Sequence, residues 1–358
     1  MKKIDIYIIK KFLGTFFFAI ALLVVIVIVF DISEKIDDFI EKEAPLSEIL
    51  FSYYLNFIPY FVNLFSYLFT FIAVIFFTSK MASNSEIIAI LSSGISFQRL
   101  LFPYIISATI LGLMSFYLAN FLIPKTNKTM MEFERIYIKN PFQNRERDIH
   151  MQISPGTFVY MQSYDSRTNT GYKFSLENFK NKRLTQKILS QRITWDSIKG
   201  TWTIKDYVIR KINDNQEAIF KGKDLDTILN MYPHEFRFIL EEMKTMNYME
   251  LRAFIDKERL KGSHLINEYE VEKHKRMAFP FATIILAIIG VSISSRKVRG
   301  GIGMHLGYGL AITFGYILFQ QVTTVFATRG NMAPWLSVWI PNFVFAVVAA
   351  FLYRIAPK

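Results

Sequence analysis

Six long apolar runs alternate with polar segments along this chain. Each run has roughly 20 residues, the length that an α-helix needs to cross about 30 Å of hydrocarbon. The runs lie near residues 12–30, 51–78, 101–123, 277–294, 302–328 and 334–353. The first run is too long for a signal-peptide core and no cleavage site follows it, so we expect it to remain as an anchor. The pattern predicts six transmembrane helices, three on each side of a long polar segment.

The polar segment, residues 125–276, changes from apolar runs to a two-residue alternation that is typical of β-strands. Strand-like stretches lie at 156–161, 172–176, 186–190, 191–195, 201–204 and 207–209, with a turn at 196–200. Asn247 and Glu250 resemble a capping box that opens a helix over 248–261, which Gly262 ends. A second polar helix over 264–276 is expected to continue into the fourth span. The sequence therefore predicts an inserted antiparallel β domain followed by connecting helices.

A short amphipathic stretch, residues 85–96, lies between the second and third apolar runs. If Ser85 or Asn84 caps a helix here, Glu86 is favoured by the helix dipole. Ile87, Ile88, Leu91 and Ile95 recur at helical spacing, and Gly94 and Ser96 are expected to end the helix. The pattern predicts a docking helix for another protein; the alternative is a helix that merely lies against the membrane.

Composition and charge fit a membrane protein whose orientation is set by its basic loops. The chain is 52% hydrophobic, has a mean hydropathy of +0.25, no cysteine and a formal charge of +12. Basic residues cluster at both termini and in two loops that six alternating spans place on one side, which predicts cytoplasmic termini. These residues are Lys2, Lys3, Lys10, Lys11, Lys80, Arg99, Arg296, Lys297, Arg299, Arg354 and Lys358. The segment 31–50 is mainly acidic, and no nucleic-acid motif is present.

No catalytic or metal-binding motif is visible. The sequence has no Gly-x-x-x-x-Gly-Lys-Ser/Thr phosphate loop, no thiolate and no metal-ligand spacing among His150, His234, His264, His274 and His305. We therefore expect a non-enzyme without catalytic residues or bound metal. Active transport would require a separate ATPase.

Four motifs resemble one family of transport proteins. They are IDIYI at 4–8, SEIIAILSSG at 85–94, YEVEKHKRMAFP at 269–280 and GVSISSR at 290–296. In this order around a central β domain, they make the chain similar to the LptF/LptG family, the transmembrane half of the lipopolysaccharide exporter. The resemblance covers essentially the whole chain.

This resemblance implies a multi-pass protein of the bacterial inner membrane with a periplasmic β-jellyroll domain. Its implied partners are a second LptF/LptG-type subunit, an LptB-like ATPase dimer, LptC/LptA-like periplasmic bridge proteins and lipopolysaccharide. ATP and magnesium belong to the ATPase, and no cofactor is expected in this chain. The implied division is 1–124 with a coupling helix at 84–96, a β domain at 125–246, connecting helices at 247–276 and the last three spans at 277–358. The residues implied to dock the ATPase are Glu86, Ile87, Ile88, Leu91 and Gly94.

Small residues form a stripe along the fifth span. Gly303, Gly307, Ala311 and Gly315 are each four residues apart, so they share one helix face and permit close helix approach. Packing within one subunit is one interpretation. The resemblance implies another, a lateral gate in which the fifth span of one subunit faces the first span of the other.

The implied substrate carries phosphates and acyl chains, so basic and aromatic residues near the outer boundary are candidate contacts. Such charges also occur at helix ends simply because they reach towards water. Asp31 and Glu34 stand where the family often has a basic residue, with Lys35 one turn later. The candidates are Lys35, Lys125, Lys128, Phe61, Phe65, Phe69, Phe314, Tyr316, Phe319 and Arg329.

Two other classes of function remain as alternatives. A secondary transporter needs ionisable groups or broken helices near the midplane. Pro59 and Pro341 are candidate breaks, but the apolar runs carry almost no charge. The second alternative is a mechanotransmitting or scaffold subunit of an ABC-type complex that does not itself conduct lipid.

Overall fold

A computed structural model describes residues 2–138, 147–165, 168–213, 216–233, 243–263, 265–298 and 301–356. The predicted positions Arg299, Lys358, His234 and His264 lie outside the described residues. The chain divides into two compact units. The helical unit contains Met1–Ile138, Thr245–Tyr248 and Asn267–Lys358, and the β unit contains Lys139–Lys244 and Met249–Ile266.

The helical unit confirms the predicted six spans. Six helices are long and apolar enough to cross a membrane: α1 Lys3–Glu41, α2 Leu46–Ser83, α4 Phe97–Tyr137, α6 Ile266–Ser294, α7 Gly301–Arg329 and α8 Pro334–Ile355. The short α3 Glu86–Ser92 separates α2 from α4, and α5 Tyr248–Lys261 precedes α6. Both α2 and α8 continue through their internal prolines, Pro59 and Pro341. Gly262 follows α5 with a φ of +71°, as expected of a residue that stops a helix.

Two of these helices extend beyond their apolar runs. The mainly acidic segment 31–50, which lies between two predicted spans, is largely helical: α1 continues to Glu41 and only residues 42–45 connect it to α2. Similarly, α4 continues to Tyr137, with a π-helical turn at Leu118–Leu122. Phe39 and Phe133 are buried in these extensions, 7% and 3% exposed, so apolar residues at helical spacing hold the polar ends in place.

The cores of the helical unit follow a four-residue period. Ile8, Phe12, Phe16 and Ile20 of α1 are all buried, which places one continuous face of the helix against its neighbours. A second core joins α2, α6 and α7 through Phe71, Ile75, Leu286, Ile289 and Tyr316.

The β unit is a six-stranded antiparallel sheet with sequential strand order. Its strands are β1 Arg147–Ser154, β2 Thr157–Asp165, β3 Thr170–Lys180, β4 Arg183–Asp196, β5 Thr201–Asn213 and β6 Gln216–Thr227. The predicted stretches at 186–190 and 191–195 are one strand, as are those at 201–204 and 207–209. The first and last strands were missed. The edge strand β6 carries many charged residues and little alternation, whereas β1 does alternate, with Ile149, Met151 and Ile153 at every second position, and this signal was overlooked.

Side chains on one face form the core of this sheet. Val159, Leu176 and Ile188 stand opposite one another in register and are at most 7% exposed. Trp202 is fully buried, and its indole Nε1 donates to the Met231 carbonyl oxygen at 3.0 Å. The sheet therefore has a packed apolar face and a second face of mixed polarity.

Candidate functional site

Apart from an aromatic row on α2, the predicted site residues of the helical unit fall in three places. One is the end at which the chain begins, which we call the basic end because Lys2, Lys3, Lys80, Arg99, Arg296 and Lys297 lie there. The second is a face of α7. The third is the opposite end, where the last turns of α1 meet the start of α2, and which we call the acidic end.

At the basic end, the residues of α3 that the sequence pattern predicted to share one face point in different directions. Ile87 is 1% exposed and belongs to the same core as Ile8 and Phe97, and Leu91 packs against that core. Ile88 is 50% exposed. Since positions 87 and 91 are one helical turn apart and position 88 points about 100° away from 87, the helix presents only Ile88 of these three outward.

The ends of α3 also differ from the expected caps. Ser85 has a φ of +64° and makes no side-chain cap; instead, Asn84 Nδ2 donates to Glu86 Oε1 at 3.2 Å. Gly94 follows the helix with a φ of +83°, which supports its predicted role as a stop. Ser96 does not end α3. It begins α4, where its hydroxyl accepts the Arg99 backbone N–H at 3.3 Å.

A buried carboxylate that sequence reasoning missed lies beside α3. Asp5, in the first turn of α1, is fully buried, and Arg99 Nη1 and Nη2 donate to its two oxygens at 2.8 and 2.7 Å. The Lys2 backbone N–H donates to the same carboxylate at 2.7 Å. Two residues later, the Tyr7 hydroxyl donates to Glu86 Oε2 at 3.3 Å. The sequence does contain a signal that could have revealed this site: Asp5 is a lone acidic residue in the first turn of a helix, with lysines before and after it.

The small residues of α7 lie on its outward face. A Cβ added at Gly303, Gly307 or Gly315 would meet nothing within 4 Å among the described residues, and Ala311 is exposed. By contrast, a Cβ at Gly309 would lie 2.2 Å from Ile75 Cδ1. Packing of α7 within the chain therefore uses Gly309, and leaves the predicted stripe open.

The aromatic candidates on α7 point in different directions. Phe314, next to the stripe, is 62% exposed, whereas Tyr316 is 1% exposed and donates its hydroxyl to Asn342 Oδ1 at 2.8 Å. Asn342 Nδ2 in turn donates to the Ala278 carbonyl oxygen at 3.0 Å. The Asn342 side-chain amide thus joins α6, α7 and α8. Tyr316 faces the interior of the chain. Phe319 is partly buried.

On α2, the three predicted aromatic contacts form a partly buried row. Phe61 stacks on Phe57 with ring centroids 4.1 Å apart, and its centroid lies 6.4 Å from that of Phe65. Phe65 and Phe69 pack against the first core. The row is accessible only in part.

At the acidic end, Lys35 is held by an acidic partner one turn earlier. Its Nζ lies 2.9 Å from Asp31 Oδ1, contacts the Tyr53 hydroxyl and stands 4.7 Å from the centroid of that ring. Tyr54 donates its hydroxyl to Asp31 Oδ2 at 3.1 Å. The Lys35 charge is therefore already balanced, whereas the other predicted basic contacts, Lys125, Lys128 and Arg329, are exposed.

Two open grooves have the size and polarity to hold an amphipathic molecule. At the acidic end, a groove of about 810 Å³ runs between α1 and α2 and is lined almost entirely by apolar residues, among them Ile32, Ile36 and Phe51. In the β unit, a groove of about 670 Å³ mixes apolar residues such as Phe158 and Leu189 with charged residues of both signs, Lys173, Lys187, Glu177 and Asp206. An open apolar groove with a few polar groups is the usual form of a ligand site.

Comparison with known proteins gives one family match. The model of the family described as "Lipopolysaccharide export system permease LptF/LptG" matches residues 6–355, which include all six spans and the inserted sheet. No curated protein matches the chain.

Proposed function

This chain belongs to the LptF/LptG family of lipopolysaccharide export system permeases, and we propose that it is the permease subunit that extracts lipopolysaccharide from the inner membrane. In this proposal it pairs with a second LptF/LptG-type subunit, and an LptB-like ATPase docks on the basic end, which faces the cytoplasm. The β unit then lies in the periplasm and hands the lipid to LptC/LptA-like bridge proteins.

The open face of α7 is the observation that supports this proposal most directly. Gly303, Gly307, Ala311 and Gly315 have no packing role within the described chain, so they are available for close approach by another helix. A lateral gate needs such a face because two helices must close tightly and separate again. The neighbouring Phe314, 62% exposed, would then border the path of the lipid.

The groove of the β unit supports passage of an amphipathic substrate. Its apolar residues suit acyl chains and Lys173 suits a phosphate, whereas Lys187 is already paired with Glu177 at 2.7 Å. The groove at the acidic end supplies a second apolar surface. Lys125 and Lys128 of α4 are exposed and are further candidates for phosphate contact.

Docking of the ATPase is tested with the outward residue of α3. Ile88→Asp places a charge on a side chain that is 50% exposed, so we expect the helical unit to fold and co-purification of the ATPase to be lost. Leu46→Asp is the matched control, because it changes an aliphatic residue that is 71% exposed at the opposite end. Unchanged ATPase recovery with Ile88→Asp would reject α3 as the docking surface.

Passage of lipid is tested by site-specific photocrosslinking in the assembled complex. A probe at Phe314 or Phe65 is expected to capture lipopolysaccharide during ATP turnover. A probe at Leu113 of α4, which is 64% exposed, reports ordinary contact with bulk lipid. If capture at Phe314 and Phe65 does not exceed that at Leu113, the chain transmits motion without conducting lipid, which is the mechanotransmitting alternative.

A further inference from the structure

We propose that Asp5 and Arg99 are positioning residues that transmit movement of α3 to α1. The proposal rests on the proposed function, in which α3 receives the ATPase and α1 contributes to the gate. It concerns a pair that has no place in the docking or gate surfaces described above. The pair joins the first turn of α1 to the first turn of α4, directly after α3.

The geometry of the pair makes the connection stiff. The two terminal nitrogens of the Arg99 guanidinium donate to the two oxygens of the Asp5 carboxylate, at 2.8 and 2.7 Å. This two-pronged contact fixes the relative orientation of α1 and α4 as well as the distance between them. The Asp5 side chain is fully buried, whereas that of Arg99 is 34% exposed. The carboxylate cannot turn to water, so a displacement of Arg99 must either carry Asp5 with it or break the pair.

A second contact connects α3 itself to the same turn of α1. The Tyr7 hydroxyl donates to Glu86 Oε2 at 3.3 Å, so α1 is held both to α3 and to the residue three positions into α4. Ile87 is buried beside Ile8 in the same core, which adds apolar contact beneath the two polar ones. The start of α1 and the α3–α4 junction therefore move as one body.

Between its two held ends, α1 has few contacts within the described chain. Its buried positions stop at Ile20 and resume only at Phe39, and the residues between them are largely open: Val25 is 61% exposed and Phe30 is 73% exposed. Because α1 is held at both ends, by the Asp5–Arg99 pair here and by Phe39 and the Asp31–Tyr54 hydrogen bond at the acidic end, a displacement of its first turn must bend or tilt the open stretch between them. Replacing both members of a buried ion pair by apolar residues is often neutral, whereas removing one partner alone is destabilising, so thermal stability is measured beside the fluorescence response.

The test uses the complete complex with a reporter on α1. This chain has no cysteine, so Val25→Cys carries a single environment-sensitive fluorophore in a complex whose other subunits lack cysteine. Fluorescence is compared before and after ATP with vanadate, and lipid moved per ATP is measured in parallel. The variants are Asp5→Asn, Arg99→Lys and their combination, and Lys10→Gln, an exposed residue of the same helix, is the control.

We expect Asp5→Asn to keep ATPase binding and hydrolysis but to reduce the fluorescence response by about fivefold or more, the lower end of typical coupling between sites. Arg99→Lys keeps the charge but loses the two-pronged contact, and is expected to have the same effect. The double variant should reduce the fluorescence response no further than either single variant, since the same interaction is removed in all three. Lys10→Gln should behave like the parent protein.

Two results overturn the proposal. One is a fluorescence response in Asp5→Asn and Arg99→Lys that equals that of the parent complex. The other is a fall in ATPase binding, thermal stability and lipid transfer in equal proportion, which indicates a purely structural pair. Failure of the unmodified complex to bind the ATPase or to move lipid instead refutes the proposed function, and is seen before any variant is compared.

Discussion

Two glycines of α7, two residues apart, are expected to respond oppositely to the same substitution. Gly307 lies on the open face, and an added Cβ meets nothing within 4 Å among the described residues. Gly309 lies on the packed face, where an added Cβ would be 2.2 Å from Ile75 Cδ1 and 3.5 Å from Phe71 Cε1. Both neighbours are buried, 1% and 0% exposed, so they have little room to move.

The expected changes in the free energy of unfolding follow from these distances. Replacing a glycine by alanine in a helix interior stabilises the helix by up to about 1 kcal/mol, and leucine is nearly as good a helix former. At Gly307 nothing opposes this gain, so Gly307→Leu is expected to leave the chain as stable as before or slightly more stable. At Gly309 overpacking costs about 1–3 kcal/mol, so Gly309→Leu is expected to destabilise the chain.

Lipid transfer is expected to fall in Gly307→Leu although the stability of the chain does not. Helices that pack through small residues approach closely, and a leucine at Gly307 would hold the partner helix away. An overpacking cost of about 1.4 kcal/mol at that contact corresponds to a tenfold loss of the closed arrangement. Gly307→Leu should therefore reduce lipid transfer by about tenfold at unchanged expression.

The assay measures thermal unfolding of the purified chain and lipid transfer by the reconstituted complex for both variants. The reasoning is refuted if Gly307→Leu lowers the melting temperature as much as Gly309→Leu, because the stripe would then pack within the chain. It is also refuted if Gly307→Leu transfers lipid at the parental rate.

Two further predictions concern single hydrogen bonds. Tyr316→Phe removes the donor to Asn342, and because such bonds in membrane proteins average about 0.6 kcal/mol, we expect a small loss of unfolding free energy in detergent; a loss above about 2 kcal/mol would contradict this. In the β unit, hydrogen bonds from the Thr203 hydroxyl and then Lys199 hold the pKa of Asp226 below its usual value, so the associated stability is present above about pH 4 and is lost as the pH falls. Thr203→Val should raise that pKa in a carboxyl NMR titration, and an unchanged midpoint would rule out this cause.

Local patterns in the sequence predicted the existence of the helices and strands more accurately than the residues at which they end. The six apolar runs correspond to six helices, yet α1 and α4 continue through charged residues to Glu41 and Tyr137. Phe39 and Phe133 hold these extensions by packing against each other and against Tyr53 of α2, although Phe133 is distant from both in sequence. The charged edge strand β6 escaped detection for a related reason: pairing with β5 supplies the stability that its own residues do not.

The sequence alone determined most of the elements, because hydrophobic period and run length are properties of adjacent residues. It settled the six spans, the inserted sheet, the helix at 86–92 and the four-residue spacing of the small side chains. Only the tertiary structure decided which way these elements face. It turned Ile87 inward and Ile88 outward, and it left Gly307 open while burying Gly309. It also joined Asp5 to Arg99 across 94 residues, because facing and pairing depend on contacts between segments that the local pattern does not relate.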